Sequence, residues 1–221
     1  GYDGVVRYNL QDGGSYTGGS IGDLDMRTDG ALFQYFGANG DAENNGLLRQ
    51  ISTATGAILD ESGDGISDDP DTPTDWQVTG QTVDALAIGR TAVAEYEDSV
   101  FYAIRDGGRS FLYRARTDGD ASEVANEPLF GRLGEIDSAV GGLTGYTAGM
   151  QFQNDSFTSR RLYGVSSGGQ FYEINEATGG VSDIVDFSPY LSGGGFQGLA
   201  AAPVNLEAGR YQGMFFAITN Q

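Results

Sequence analysis

The residues best placed to do chemistry lie in 60-DESGDGISDDPDTPTD-75, which puts seven carboxylates into sixteen residues. Asp60, Ser62, Asp64, Gly65, Ile66, Asp68 and Asp71 fall on positions 1, 3, 5, 6, 7, 9 and 12 of a loop counted from Asp60. Oxygen donors alternating in this way converge on a hard cation. Calcium takes roughly six to eight oxygens at about 2.3–2.6 Å, with glycine at the sixth position for the sharp turn and a backbone carbonyl at the seventh. Ile66 supplies that carbonyl as well as any residue would. Without an ion, carboxylates this close repel each other, and an ordered empty loop is costly. The alternative is a solvated acidic loop that only keeps the chain in water. A second polar loop, 37-GANGDAENNG-46, alternates Asn39, Asp41 and Glu43 but lacks the rest of the register.

Much other chemistry is excluded by composition. The 221 residues contain no histidine and no cysteine, and all 12 basic residues are arginine. Histidine bases, Ser–His–Asp triads, thiolate nucleophiles, zinc–cysteine sites, disulfides and lysine Schiff bases are therefore unavailable. Carboxylate pairs remain, as glycoside cleavage would need, but among 31 acids any spacing arises by chance. The net charge of −19 disfavours nucleic acid, which needs a basic face, and favours cations or cationic surfaces. No apolar run approaches the ~18 residues of a membrane span.

Several smaller features have ordinary readings. Trp76, the single tryptophan, reads as an anchor for the acidic loop on a sheet face. Arg27, Arg160 and Arg161 read as partners for acids at strand edges, and 193-GGG-195 as a flexible turn. Asn154-Asp155-Ser156 is an Asn-x-Ser glycan acceptor in an expected surface loop, and Thr72 and Thr74 flank Pro73 as O-glycan acceptors often do.

The elements that must position these groups recur. One family of segments reads 31-ALFQYFG-37, 99-SVFYAIRD-106, 161-RLYGVSSG-168 and 214-MFFAITNQ-221. Each has an apolar opening and then alternation, as a half-buried strand requires. A second family follows it and closes on a glycine turn: 47-LLRQISTATG-56, 111-FLYRARTDG-119, 171-FYEINEATGG-180 and, near the start of the chain, 5-VVRYNLQDGG-14. A third precedes the first and is rich in small residues, suiting an inner strand where sheets crowd: 22-GDLDM-26, 84-DALAIG-89, 148-AGMQF-152 and 198-GLAAAP-203. The markers Leu32, Val100, Leu162 and Phe215 are spaced by 68, 62 and 53 residues. A further strand-like segment, 57-AILD-60, precedes the acidic loop. Helical periodicity is nearly absent.

These repeats resemble those of β-propellers, in the broad group whose blades read x-LYAID-x-x-TG. The resemblance implies an all-β single domain over 1–221 with about four blades, near 21–80, 81–142, 143–195, and 196–221 joined by 1–20. An irregular β-sandwich is the alternative. The order of families implies that the chain ends contribute strands to one shared blade, because 214–221 followed by 1–14 makes a complete one. That blade either closes a ring within one molecule or pairs with a neighbour, as in a filament. A start at Gly1 with no leader reads as a processed or partial piece of a longer protein.

The acidic segment resembles the calcium repeats of the thrombospondin type 3 group, whose loops need no flanking helices. Pro70 and Pro73 would hinder a following helix. By that resemblance Asp60, Asp64, Asp68 and Asp71 are side-chain ligands of Ca2+ and Ile66 gives its carbonyl. Ser62 departs from the usual Asp or Asn. The expected function is an extracellular or cell-surface, non-enzymatic structural or adhesive unit of a larger secreted protein. It would be calcium-stabilised and fibre-forming, with copies of itself, neighbouring domains or glycans as partners. The competing expectation is a carbohydrate-active or sugar-binding module.

Overall fold

The computed structural model describes residues 21–27, 30–36, 47–54, 76–77, 82–89, 99–115, 130–137, 142–153, 161–202 and 206–220. Four antiparallel sheets follow one another along the chain. Sheet 1 comprises β1 (Ile21–Met26), β2 (Leu32–Phe36), β3 (Leu47–Ile51) and β4 (Trp76–Gln77). Sheet 2 comprises β5 (Thr82–Ile88), β6 (Val100–Asp106), β7 (Arg109–Ala115) and β8 (Phe130–Glu135). Sheet 3 comprises β9 (Thr147–Phe152), β10 (Leu162–Ser166), β11 (Gln170–Ile174) and β12 (Val181–Asp186). Sheet 4 comprises β13 (Phe196–Ala201) and β14 (Phe215–Thr219). Each sheet is a meander in which consecutive strands pair.

Local chemistry explains the meander. The β6–β7 turn is Asp106-Gly107-Gly108-Arg109, and both glycines have positive φ, 57° and 82°. Two left-handed residues give the hairpin turn whose twist matches its strands. After β11, the Asn175 side chain accepts the N–H groups of Ala177 (3.0 Å) and Thr178 (3.1 Å), forming the polar turn that the sequence places before Gly179–Gly180.

The sheets stack face to face in chain order, with their first strands adjacent: β1 packs on β5, β5 on β9, and β9 on β13. Three apolar clusters fill the spaces. Phe33 of sheet 1 joins Val83, Leu86, Ile88, Val100, Tyr102 and Ile104 of sheet 2. The opposite face of sheet 2, with Ala85, Ala87, Phe101 and Ala103, meets Met150, Phe152, Leu162 and Tyr172 of sheet 3. Val165 of sheet 3 meets Phe196 and Leu199 of sheet 4. Residues 100–104 of β6 are buried throughout, so sheet 2 is covered on both faces. At roughly 1.5–3 kcal/mol for each large apolar side chain removed from water, this strand is the best-anchored element described.

Close approach depends on small residues. A methyl group on Gly149 of β9 would run into the backbone at Gly198–Leu199 of β13. At the far edge, the 175–180 turn seats on β8: a methyl on Gly134 would collide with the Thr178 carbonyl. There the Val181 N–H donates to the Asp137 carbonyl at 2.9 Å.

All three segment families fall on strands where the structure describes them, with the glycine turns in place after β11. The outer strands β4, β8 and β12 were not anticipated. The 193–195 glycines lie in the connection from sheet 3 to sheet 4. Gly194 N–H donates to the Leu191 carbonyl (2.6 Å), Gly195 N–H to Asn220 Oδ1 (2.6 Å), and Gly195 abuts the Ser167 backbone. Residues 5–14 and 57–60 lie outside the described residues.

Candidate functional site at the converging inner strands

The registers align the four inner strands rung by rung. Asp25 pairs with Phe33, Ala87 with Phe101, Gln151 with Tyr163 and Ala200 with Phe216. Each second-strand partner is one residue past the markers Leu32, Val100, Leu162 and Phe215. One rung of four inner strands therefore carries Asp, Ala, Gln and Ala.

Asp25 uses that position to join three sheets. Its Oδ2 accepts the backbone N–H of Ile88 on β5 at 2.7 Å and the side-chain amide of Gln151 on β9 at 3.3 Å. Its Oδ1 accepts the N–H of Met26 at 2.8 Å. Burial pushes the carboxyl up from 3.8 to about 6, against the pull of these three donors. Taking a carboxylate from water costs more than neutral N–H groups return. The result is a carboxyl that exchanges its proton near neutral pH, at the point where sheets 1, 2 and 3 meet.

A second constellation ties sheet 2 to the connection entering sheet 3. Arg105 on β6 grips Asp84 on β5 with two nitrogens, Nε–Oδ2 at 2.9 Å and a second bond from Nη2 to Oδ1. The guanidinium lies 3.8 Å from the centre of the Tyr146 ring. Burial raises the Asp84 carboxyl above its ordinary range while Arg105 draws it down, and the hydrogen bonds that Arg105 donates to Asp84 raise the guanidinium in turn. This planar fork, stacked on an aromatic face, is a geometry that lysine does not reproduce. Asp84 is thus committed to an ion pair.

The connection itself is held by polar side chains. Gln170 accepts the Thr144 N–H at 2.7 Å and donates its amide to the Gly142 carbonyl at 2.5 Å. Ser167 Oγ accepts the Tyr146 N–H at 3.0 Å, and Ser110 Oγ accepts the Thr147 N–H at 2.9 Å. Thr147 Oγ1 and the Tyr172 hydroxyl are 2.8 Å apart in the core, where burial raises the phenol. These contacts fix position; none presents a nucleophile.

The calcium candidates Asp60, Ser62, Asp64, Ile66, Asp68 and Asp71 lie outside the described residues, as do Asn154, Thr72 and Thr74. Of Trp76 only the backbone is described, in β4 opposite Leu48. Arg161 does pair with an acid, Glu173, at 3.0 Å in an exposed bridge, and Arg27 sits over the Phe33 ring at 5.2 Å. Asp25 was not singled out by sequence. The signal was present: 22-GDLDM-26 puts a charge where the corresponding segments have Ala87, Gln151 and Ala200.

No protein-family model matches the chain, and no curated protein matches it.

Proposed function

We propose that the four sheets are blades of a β-propeller, with β1, β5, β9 and β13 side by side around its axis. In this reading the protein is an extracellular structural or adhesive unit of a larger secreted or surface protein and not an enzyme. The observation that carries it is the packing of inner strand on inner strand in chain order, with sheet 2 covered on both faces. A two-sheet sandwich has a single such interface; a radial array has one between every successive pair. The link from Asp25 to Gln151, on β1 and β9, further supports convergence on an axis. In this reading the alternating segment 5-VVRYNL-10, outside the described residues, is the sequence candidate for a further strand of sheet 4.

The surface of such a unit carries a charge of −19 with no lysine, suited to a cation-rich exterior. Asp60, Asp64, Asp68 and Asp71, with the Ile66 carbonyl, bind calcium in this reading and stiffen the insertion in sheet 1. Titration calorimetry tests the ion. The expected result is heat of binding and, at about a hundred times the dissociation constant, roughly 2.7 kcal/mol of added stability. No heat and no rise in melting temperature at millimolar calcium would remove it. Electron microscopy at varied calcium tests the structural role, which single isolated particles in every condition would contradict.

A further inference from the structure

The internal interfaces share one repeating contact. The aromatic residue one step past each second-strand marker leans onto the next sheet. Phe101 of sheet 2 meets Phe152 of sheet 3 edge to face at 5.5 Å, and Tyr163 of sheet 3 meets Phe215 of sheet 4 at 5.1 Å. Phe33 of sheet 1 is buried among residues of sheet 2. In sheet 4 the corresponding residue is Phe216, opposite Ala200 as Phe101 is opposite Ala87. Phe101 is 0 % exposed and Phe216 is 53 % exposed. Ile218, two residues on and therefore on the same face, is 71 % exposed.

The other half of this contact stands uncovered at the opposite end of the stack. The rung that receives the aromatic is occupied by Ile88 in sheet 2 and Phe152 in sheet 3, 2 % and 4 % exposed. In sheet 1 it is Met26, paired with Leu32 as Ile88 is with Val100, and 51 % exposed. Sheet 4 thus ends on a donor face and sheet 1 begins on a receiver face. The two are complementary halves of an interface that the molecule already makes between its own successive sheets.

We infer that the outer face of sheet 4, centred on Phe216 and Ile218, docks on the Met26 face of sheet 1 in a second copy of this chain, extending the stack head to tail. This rests on reading the four sheets as consecutive blades. The thioether of Met26 is a favourable neighbour for the Phe216 ring. Because the two faces differ, the contact is heterologous and propagates until it closes into a ring or continues as a filament. The charge of −19 on each copy opposes association, so salt that screens it strengthens the contact.

Sedimentation velocity on the full chain across concentration and salt tests this, with Met26→Gln and Ile218→Glu as variants. Both side chains are exposed, and circular dichroism checks that each variant folds. For Ile218→Glu, a milder Ile218→Thr repeats the measurement. The expected result is association of the unaltered chain, weakened on the order of tenfold or more by either change. Mixing the two variants gives dimers that do not grow further, because each retains one intact face. Association lost with Ile218→Glu but unaffected by Met26→Gln overturns the inference in favour of a two-fold contact between sheet 4 faces. Association unaffected by either variant overturns the surface but leaves the self-assembling unit standing. An unaltered chain that stays monomeric overturns the inference too. If both substitutions then lower its melting temperature, the blades close within one chain and the propeller reading stands.

Discussion

Replacing Asp25 with asparagine removes a buried charge while keeping its shape, and should stabilise the protein at neutral pH. The folded carboxyl titrates at about 6 against 3.8 for an ordinary one. Two units at ~1.36 kcal/mol each put the cost of ionising it in place at roughly 3 kcal/mol. Not all of that is recovered. Asparagine keeps one oxygen, which goes to the Ile88 N–H, and its amide group then faces the Met26 N–H as donor against donor. Losing that bond and setting two donors face to face costs about 1–2 kcal/mol, while the retained oxygen still accepts the Gln151 amide as Oδ2 does now. The net gain is therefore about 1–2 kcal/mol, or ~2–8 °C in melting temperature for a domain of this size.

The sign of the pH dependence is fixed by the direction of the shift. Between about 4 and 6 the folded state holds a proton on Asp25 that the unfolded chain has released, so rising pH destabilises the fold through this group. Its contribution is intact below about pH 4 and lost as pH climbs past the folded value of about 6. The other carboxylates titrate alike in both proteins, so the difference in unfolding free energy between variant and parent isolates Asp25. It should be slightly negative near pH 4, cross zero, and level off positive above pH 7. Urea unfolding at half-unit pH steps measures it. A flat difference, or a variant weaker at pH 8 than at pH 4, would refute the account of a charge held against burial.

Two further changes probe the seams between sheets. Thr147→Val removes the partner of the buried Tyr172 hydroxyl (2.8 Å) and should cost roughly 1–3 kcal/mol by denaturant melts. Adding Tyr172→Phe should recover part of that loss, since the stranded group disappears with it. Gly134→Ala puts a methyl into the Thr178 carbonyl and should cost about 1–3 kcal/mol. Hydrogen exchange should localise the damage to the Val181 N–H, whose bond to Asp137 closes that seam.

What could be read in the sequence follows from which residues face one environment consistently. The second strands alternate between two packed faces or open on an apolar pair, and the inner strands are small because sheets converge there; both leave a mark. The outer strands do not. β8 is 130-FGRLGE-135, interrupted by two glycines, one of them needed so that the Thr178 turn can seat. β12 is mostly exposed and is bulged at Asp183, whose φ is 50°, so no period survives. Asp25 is legible only as a charge on an otherwise uncharged rung, because the backbone N–H that it binds 63 residues away leaves no mark of its own in the sequence. The stacked end faces were equally silent, since Phe216 in 214-MFFAIT-219 reads the same as its buried counterpart in 99-SVFYAI-104.

The placement of Asp25 has a cause in the topology. β1, β5, β9 and β13 are each the edge of a sheet, and an edge strand carries a row of N–H and C=O groups needing partners. Inner strands that meet face to face cannot form a ladder with one another, so side chains must answer those groups. Asp25 answers Ile88, and Ser110 does the same for Thr147 on β9. This separates alanine from asparagine at position 25. Alanine also removes the charge, and it is the residue that sheets 2 and 4 carry on this rung. Yet it leaves the Ile88 N–H without an acceptor, a loss of about 1–3 kcal/mol that offsets most of the relief from burial. Asp25→Ala should therefore fall near or below the parent at pH 8, where Asp25→Asn rises above it. If alanine stabilised as much as asparagine, the N–H of Ile88 would not need its acceptor, and the carboxylate would be a tolerated charge with no tie to sheet 2.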